Sequence, residues 1–244
     1  MNHSTELPTI LLLHGAGTGA WVWERVVPDL SAPALALDVP SRSEGATPDS
    51  CTDALVRDLN DRQVGSVLVV LHSLAGVLAG PLASRLGSRL RHVVFVGAVI
   101  PRSGGSFVDE LPFPNRLILK TLFFFNRSGL KPSAGMIRRE LCNDLSNAEA
   151  ERVVARYEPE WRGLYLTPAS TSRVPSGAAY VKLLKDKTLP VNQQDRAISQ
   201  ISSPRIHELA TGHLPMLGAP EELANILNRE TEFSLTGAVK LTGS

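Results

Sequence analysis

An α/β architecture, with a mostly parallel central sheet and helices on both faces, is what this chain predicts, and three observations carry the prediction. Short apolar, strand-like runs alternate with helical stretches through most of the length. Three of those runs end directly in a Gly-rich loop, a Ser and a His, which an open parallel sheet would bring to one crevice beyond its strand ends. At 244 residues the chain also has the usual length of a single α/β domain with a large buried fraction.

The elements follow in order. Thr9-Ile10-Leu11-Leu12-Leu13 reads as a short buried strand, followed by a helix over 23–30, a strand over 34–37 and a helix over 52–59. The β-branched run Val69-Val70-Leu71 is a strand that feeds a small-residue helix reaching Leu86, and a further strand is expected over 92–96. The alternation then stops. Residues 101–173 contain helical stretches broken by Pro and Gly, with no convincing buried strand, and read as a helical cap inserted in the core. The pattern resumes with the strand Tyr180-Val181-Lys182-Leu183-Leu184-Lys185 leading into Asp186, a helix over 191–199, the strand Arg205-Ile206-His207-Glu208-Leu209 and a helix over 221–229. Residues 1–100 and 174–229 therefore form the core, and the polar stretch 230–244 is expected to be a loose tail.

Composition narrows the function. With 25 basic against 24 acidic residues there is no field to attract nucleic acid. Cys51 and Cys142 lie far apart with no CxxC partner, which suits free thiols in a reducing compartment. The first apolar run is too short to span a membrane, and no basic segment followed by a long apolar one opens the chain, so stable membrane insertion is not expected and cytoplasm is the expected location. A small-molecule substrate fits this balance, and a homodimer is compatible with it.

The chemistry-bearing residues sit at the strand ends. Ser73, in Leu71-His72-Ser73-Leu74-Ala75-Gly76, stands where a sharp strand-to-helix turn exposes a hydroxyl and aims helix N–H groups at the reacting oxygen. The structural alternative is an ordinary helix N-cap. A serine hydroxyl needs a base, and the imidazole of His213 in Gly212-His213-Leu214-Pro215 titrates close enough to neutrality to serve. A carboxylate on the other ring nitrogen would hold the tautomer. Asp186, just past a strand, is assigned that role over Asp195, inside the following helix, and Glu208, within a strand. His14 and His72 read as structural braces. His3, His92 and His207 lack metal-ligand spacing, so no metal is expected. Gly15-Ala16-Gly17-Thr18-Gly19 lacks the Lys-Ser/Thr ending and the glycine spacing of phosphate and dinucleotide loops, so no cofactor is expected either.

The chain resembles the α/β-hydrolase superfamily over nearly its whole length, and more closely the plant-type methylesterase and hydroxynitrile lyase group with its bacterial relatives. The likeness is carried by His14-Gly15-Ala16 with Gly19-Ala20-Trp21-Val22-Trp23, by His72-Ser73-Leu74-Ala75-Gly76, by Asp186-Lys187-Thr188-Leu189-Pro190 with Gln194, and by Gly212-His213-Leu214-Pro215-Met216-Leu217 with Pro220-Glu221-Glu222-Leu223. It implies a Ser73–His213–Asp186 triad, an oxyanion hole formed by the backbone N–H groups of Ala16 and Leu74, and His14 and Gly15 as supports of that loop. Three functions stay open on these residues: a hydrolase of a small apolar or aromatic carboxylic ester acting through an acyl-enzyme, a lyase or cyclase using the same Ser and His as an acid–base pair, and a ligand receptor with weak turnover. In the similar lyases a Thr replaces the loop Gly and a Lys follows the His, where this chain has Gly15 and Leu214.

Two departures carry expectations of their own. Leu71 stands where the elbow usually has a small residue, and its side chain is expected to turn to the opposite sheet face, leaving the Ser73 hydroxyl within about 3 Å of His213. Between Leu111 and Arg139 the cap carries Arg116, Lys120, Arg127, Lys131, Arg138 and Arg139 with no acid, around Leu117-Ile118-Leu119 and Leu122-Phe123-Phe124-Phe125. That stretch reads either as a membrane- or substrate-guiding surface or as a helix whose apolar face packs on the core, and the second is the expectation.

Overall fold

A computed structural model gives the fold over residues 7–126, 129–171 and 173–236. The strands β1 (Thr9–Leu13), β2 (Ala34–Leu37), β3 (Val67–His72), β4 (Leu90–Val96), β5 (Ala179–Leu183) and β6 (Arg205–Leu209) form one sheet in the order β2-β1-β3-β4-β5-β6. Every pairing is parallel. Parallel neighbours must be joined by crossovers, and the crossover helices cover both faces, which is why β3 is buried along its whole length.

On one face Leu11, Val69, Leu71, Phe95 and Tyr180 pack against the helices α1 (Pro48–Asp61) and α2 (Ala79–Leu86). On the other Ile10, Leu12, Val70, Val94 and Val181 pack against the segment around Val22 and Trp23 and against the C-terminal helices. Between β4 and β5 lie α3 (Phe113–Phe125), a short α4 (Ala134–Met136) running into a π turn at Ile137–Leu141, α5 (Asn147–Arg156) and α6 (Gly163–Leu166). After β5 come α7 (Val191–Ile198), α8 (Pro215–Gly218) and α9 (Pro220–Thr236).

The structure corrects the sequence reading in four places. In place of a helix over 23–30 there are two 3-10 turns, Ala20–Trp23 and Val27–Asp29, because Pro28 has no N–H to continue an α-helical ladder and its ring would crowd the carbonyl four residues back. The helix after Ser73 begins as a 3-10 turn, Ser73–Leu78, and becomes α-helical only at Ala79, since the ring of Pro81 would clash with the carbonyl four residues back. The stretch 230–244 is not wholly loose, for α9 continues to Thr236 and buries Glu230, Thr231 and Ser234. The hydroxyls of Thr231 and Ser234 are spent on the carbonyls of Leu227 and Thr231, at 2.8 and 2.6 Å. Residues 237–244 lie outside the described ones.

The fourth correction is α3. Of its large apolar side chains only Phe123 is fully buried, while Phe113, Phe124 and Phe125 are each 75% exposed, so the helix does not lay its apolar face on the core. The cations of α3 are partnered all the same, for Arg116 and Lys120 both reach Asp109, and in the π turn Arg138 pairs with Glu151 and Arg139 with Glu140. Arg127 and His3 lie outside the described residues. Among the described residues no helix is long and apolar enough to cross a membrane.

Candidate active site

Ser73 leaves the end of β3 in a left-handed backbone conformation, φ +53°, between an extended His72 and the 3-10 turn it begins. A non-glycine residue holds such a φ only when its surroundings over-determine it. Here the Ser73 carbonyl accepts the Val99 N–H at 3.2 Å, and Gly76 packs so close to that segment that a Cβ on it would stand 2.1 Å from the Val99 oxygen. Leu71 does not point away from the helix side as expected. It is fully buried on the face that α2 covers, in register with Leu13 and Phe95. The slimness of Ala75 and Gly76, rather than a flipped Leu71, gives the turn its room.

His213 closes on Ser73 from beyond β6. Its Nε2 lies 2.9 Å from Ser73 Oγ and its Nδ1 2.7 Å from Asp186 Oδ2. A carboxylate can only accept, so Nδ1 carries the proton and Nε2 presents a lone pair to the serine hydroxyl. The other carboxyl oxygen of Asp186 accepts the N–H groups of Thr188 and Leu189 at 2.8 and 2.9 Å. Gln194 braces this turn, accepting from the Leu183 N–H and donating to the carbonyls of Leu183 and Leu189. The rival carboxylates are elsewhere: Asp195 pairs with Lys182 at 2.6 Å, and Glu208 is exposed on β6.

The loop after β1 lies directly over the serine, for a Cβ on Gly15 would come 2.7 Å from Ser73 Cβ. The Gly15 carbonyl accepts from His14 Nδ1 at 2.8 Å and from Thr18 Oγ1 at 3.0 Å. His14 Nε2 accepts the Val39 N–H at 3.0 Å, so its proton sits on Nδ1; burial lowers its pKa and keeps the ring neutral. Because C=O and N–H point opposite ways across a trans peptide, anchoring the Gly15 carbonyl turns the Ala16 N–H the other way. That N–H has no hydrogen-bond partner among the described residues, and Leu74, in the first turn after the nucleophile, likewise has an N–H left over by helix geometry. His72 is a brace: its Nε2–H meets the His213 carbonyl at 2.9 Å, and burial holds its pKa far below the usual range.

These groups open on a cavity of about 570 Å³ lined by Ala16, Ser73, Leu74 and His213 on the sheet side and by Phe107, Asn115, Met136, Ile137, Tyr157 and Tyr165 opposite. Its largely apolar walls, with Thr18, Asn115, Glu140, Lys187 and Thr188 among the polar exceptions, suit an uncharged substrate body. A second, more open cavity of about 750 Å³ lies beside Asp38, Arg42 and Arg156 and does not include Ser73. Among the described residues no three His, Cys, Asp or Glu side chains come together to hold a metal ion. Burial pushes the thiols of Cys51 and Cys142 up to about 12, too high for nucleophiles at neutral pH.

The arrangement brings together Ser73, His213, Asp186, Ala16, Leu74, His14 and Gly15, and adds Tyr157 in the lining and Glu160 on the neighbouring Gly17 N–H. Nothing local announced Tyr157 and Glu160, since their partner Gly17 is far away in the chain. His92 and His207 find a role that spacing could not suggest: both donate to buried Glu230, at 2.9 and 2.6 Å.

A model described as the alpha/beta hydrolase family matches residues 10–226. The chain is 24% identical over 247 residues to a protein of Arabidopsis thaliana provisionally named methylesterase 11, chloroplastic, covering 91% of this chain and 63% of that one. It is 21% identical to the similarly named methylesterase 12 of the same plant, covering 92% and 72%. Among solved structures, an extracellular alpha/beta-hydrolase from a Paenibacillus species superposes with a TM-score of 0.81 at 18% identity, over 91% of this chain and 98% of the other. A methylesterase from Arabidopsis gives 0.72 at 17%, over 93% and 100%. At such identities the likeness of structure speaks for the fold.

Proposed function

The chain belongs to the alpha/beta hydrolase family, and on that premise we propose that it is a serine esterase, cleaving a small apolar or aromatic carboxylic ester through an acyl-enzyme on Ser73. The observation that carries this reading is the hydrogen-bonded line Ser73 Oγ, His213 Nε2 and Nδ1, Asp186 Oδ2, opening on an apolar cavity beside two uncommitted backbone N–H groups. In this reading His213 takes the hydroxyl proton as Oγ attacks the ester carbonyl, and Asp186 stabilises the imidazolium that forms. The tetrahedral oxyanion meets the Ala16 and Leu74 N–H groups. His213 then returns its proton to the departing alkoxide. Water repeats the sequence on the acyl-serine, releasing the acid and restoring Ser73.

A lyase or cyclase reading draws less support. The clash that a Cβ at position 15 would make with Ser73 leaves no place for the loop Thr of the similar lyases, and Leu214, not a Lys, follows the histidine. The receptor reading rested on Leu71, and the Ser73–His213 distance of 2.9 Å removes its main motive. The proposal takes the enzyme as cytoplasmic, cofactor-free and acting on a small molecule, while the relatives' names include chloroplastic and extracellular proteins.

The test is labelling with a fluorophosphonate followed by a p-nitrophenyl ester series of rising acyl length. Labelling of Ser73 with ester turnover is expected. Labelling without turnover would favour the lyase or receptor, and absence of labelling would sink the activated serine.

A further inference from the structure

Glu160 stands out because it is a buried acid, 2% exposed, outside the lining of the Ser73 cavity and within no motif. It belongs to the segment between β4 and β5, where its backbone pairs with Leu130 in both directions, at 2.8 and 2.9 Å. From there its carboxyl group crosses to the loop after β1. Oε2 accepts the Gly17 N–H at 3.0 Å, Oε1 accepts the Ser41 hydroxyl at 2.6 Å, and Arg42 Nε lies 3.5 Å from Oε2.

The same segment grips Gly17 twice more. The Glu158 N–H donates to the Gly17 carbonyl at 2.9 Å. The ring of Tyr157 fills the space where a side chain at Gly17, φ +71°, would be, 1.9 Å from the site of its Cβ. Arg42, paired with Glu158 at 2.8 Å, also donates to the Thr18 carbonyl. The Ala16 N–H lies in the Gly15–Ala16 peptide plane, which His14 and Thr18 hold through the Gly15 carbonyl. The Gly17 N–H lies in the next plane, joined to the first at the Ala16 Cα, so fixing that second plane limits how far the Ala16 N–H can turn about the joint.

We propose that Glu160 is a positioning residue for the reaction: its carboxyl group holds the Gly17 N–H and thereby keeps the neighbouring Ala16 N–H aimed at the oxygen that gains charge in the transition state. The inference rests on the ester-hydrolysis reading above. Oxyanion donors work because they are oriented before the charge appears. A donor whose flanking peptide can rock loses transition-state stabilisation while substrate binding, made by the cavity walls, is untouched. The consequence is a separable kinetic signature, a fall in kcat at constant KM.

The experiment compares wild type, Glu160→Ala, Glu160→Gln and Ser41→Ala on p-nitrophenyl butyrate, counting active sites by the end point of fluorophosphonate labelling, and adds the inhibition constant of phenylboronic acid, whose serine adduct is tetrahedral. For Glu160→Ala, kcat per labelled site should fall about 10- to 100-fold, part of the two to three orders that loss of a whole donor costs, with KM unchanged and the boronate constant rising in step. Glu160→Gln keeps an oxygen for the Gly17 N–H and should recover most of the loss. Ser41→Ala, which loosens the carboxyl group without removing it, should lower kcat several-fold and serves where Glu160→Ala does not fold. Unchanged kcat per labelled site in Glu160→Ala or Ser41→Ala beside an active wild type, with only the melting temperature lowered, would overturn this inference alone. An unlabelled and inactive wild type would overturn the hydrolase reading and this inference with it.

Discussion

The two walls of the cavity are built by different means. On the sheet side, Ser73, Asp186 and His213 stand just past the ends of β3, β5 and β6, and each is held by bonds within its own turn or to the next strand end. On the opposite side, the residues between β4 and β5 bury Ile137, Val153 and Leu164 in the core and are aligned by long-range polar ties, among them Glu160 and Glu158 to Gly17, Asp144 to the Gly212 N–H, Asn143 to the Lys185 carbonyl at 3.0 Å, and the Thr188 hydroxyl to the Glu140 carbonyl at 3.0 Å. The contrast teaches that chemistry can be placed by the regular sheet while its alignment depends on an irregular segment packed over it.

The contrast can be broken or sharpened by mutation. The largest effect belongs to the sheet side: Ser73→Ala or His213→Ala should each lower kcat on the esters by about 10⁶-fold with the melting temperature nearly unmoved, and near-normal turnover in Ser73→Ala would remove covalent catalysis. Next, Asp186→Asn should cost about 10⁴-fold in kcat. The amide can donate to Nδ1 and so favours the tautomer whose Nε2 cannot accept the serine proton.

Packing comes third. Leu71→Ala should lower the unfolding free energy in urea by about 2–5 kcal/mol, because Leu71 is fully buried against α2, and leave kcat near wild type. An increase in ester turnover would mean that Leu71 distorts the native elbow.

Glu230 supplies a pH test away from the site. Burial by itself raises its pKa, but hydrogen bonds from His207, His92 and Arg205 outweigh that and leave it well below the usual carboxylate range. A depressed folded-state pKa contributes stability above the unfolded value of about 4.3 and loses it as pH falls toward the folded value. The melting temperature of wild type should therefore drop on acidification below about pH 4, and that of Glu230→Gln should drop less while starting lower at pH 7, by on the order of 1–3 kcal/mol of stability for weakened buried bonds. Equal acid sensitivity in both proteins would separate Glu230 from the effect. The smallest change is expected on the outer face of α3, where Phe124→Ser and Phe125→Ser should each move stability by no more than about 0.5 kcal/mol in the same urea titration, since both rings are 75% exposed.

How far the sequence could be read follows from the range of the interactions. Strands β2 and β6 fall where the sequence placed them, at Ala34–Leu37 and Arg205–Leu209, although both are edge strands and only partly buried; the continuous apolar signature of burial on both faces belongs to β1 and β3. The residues at the strand ends were legible because a nucleophile elbow, a Gly-rich loop and a Gly-His turn each compress their requirement into a few neighbouring positions. The extension of α9 past Arg229 was not, since Glu230 reads as polar surface until His92, Arg205 and His207 on other strands supply its partners.

By itself, then, the sequence determined the parallel sheet, the order of Ser73, Asp186 and His213 along it and the identity of the loop that faces them, since all of these rest on local pattern and on the rule that strand ends share one edge. Only the tertiary structure decided that Leu71 faces α2, that α3 turns Phe113, Phe124 and Phe125 outward, and that Glu160 holds Gly17 from the segment between β4 and β5. Those outcomes depend on contacts between residues far apart in the chain, where neither periodicity nor propensity carries information and only the closing of the fold brings donor to acceptor.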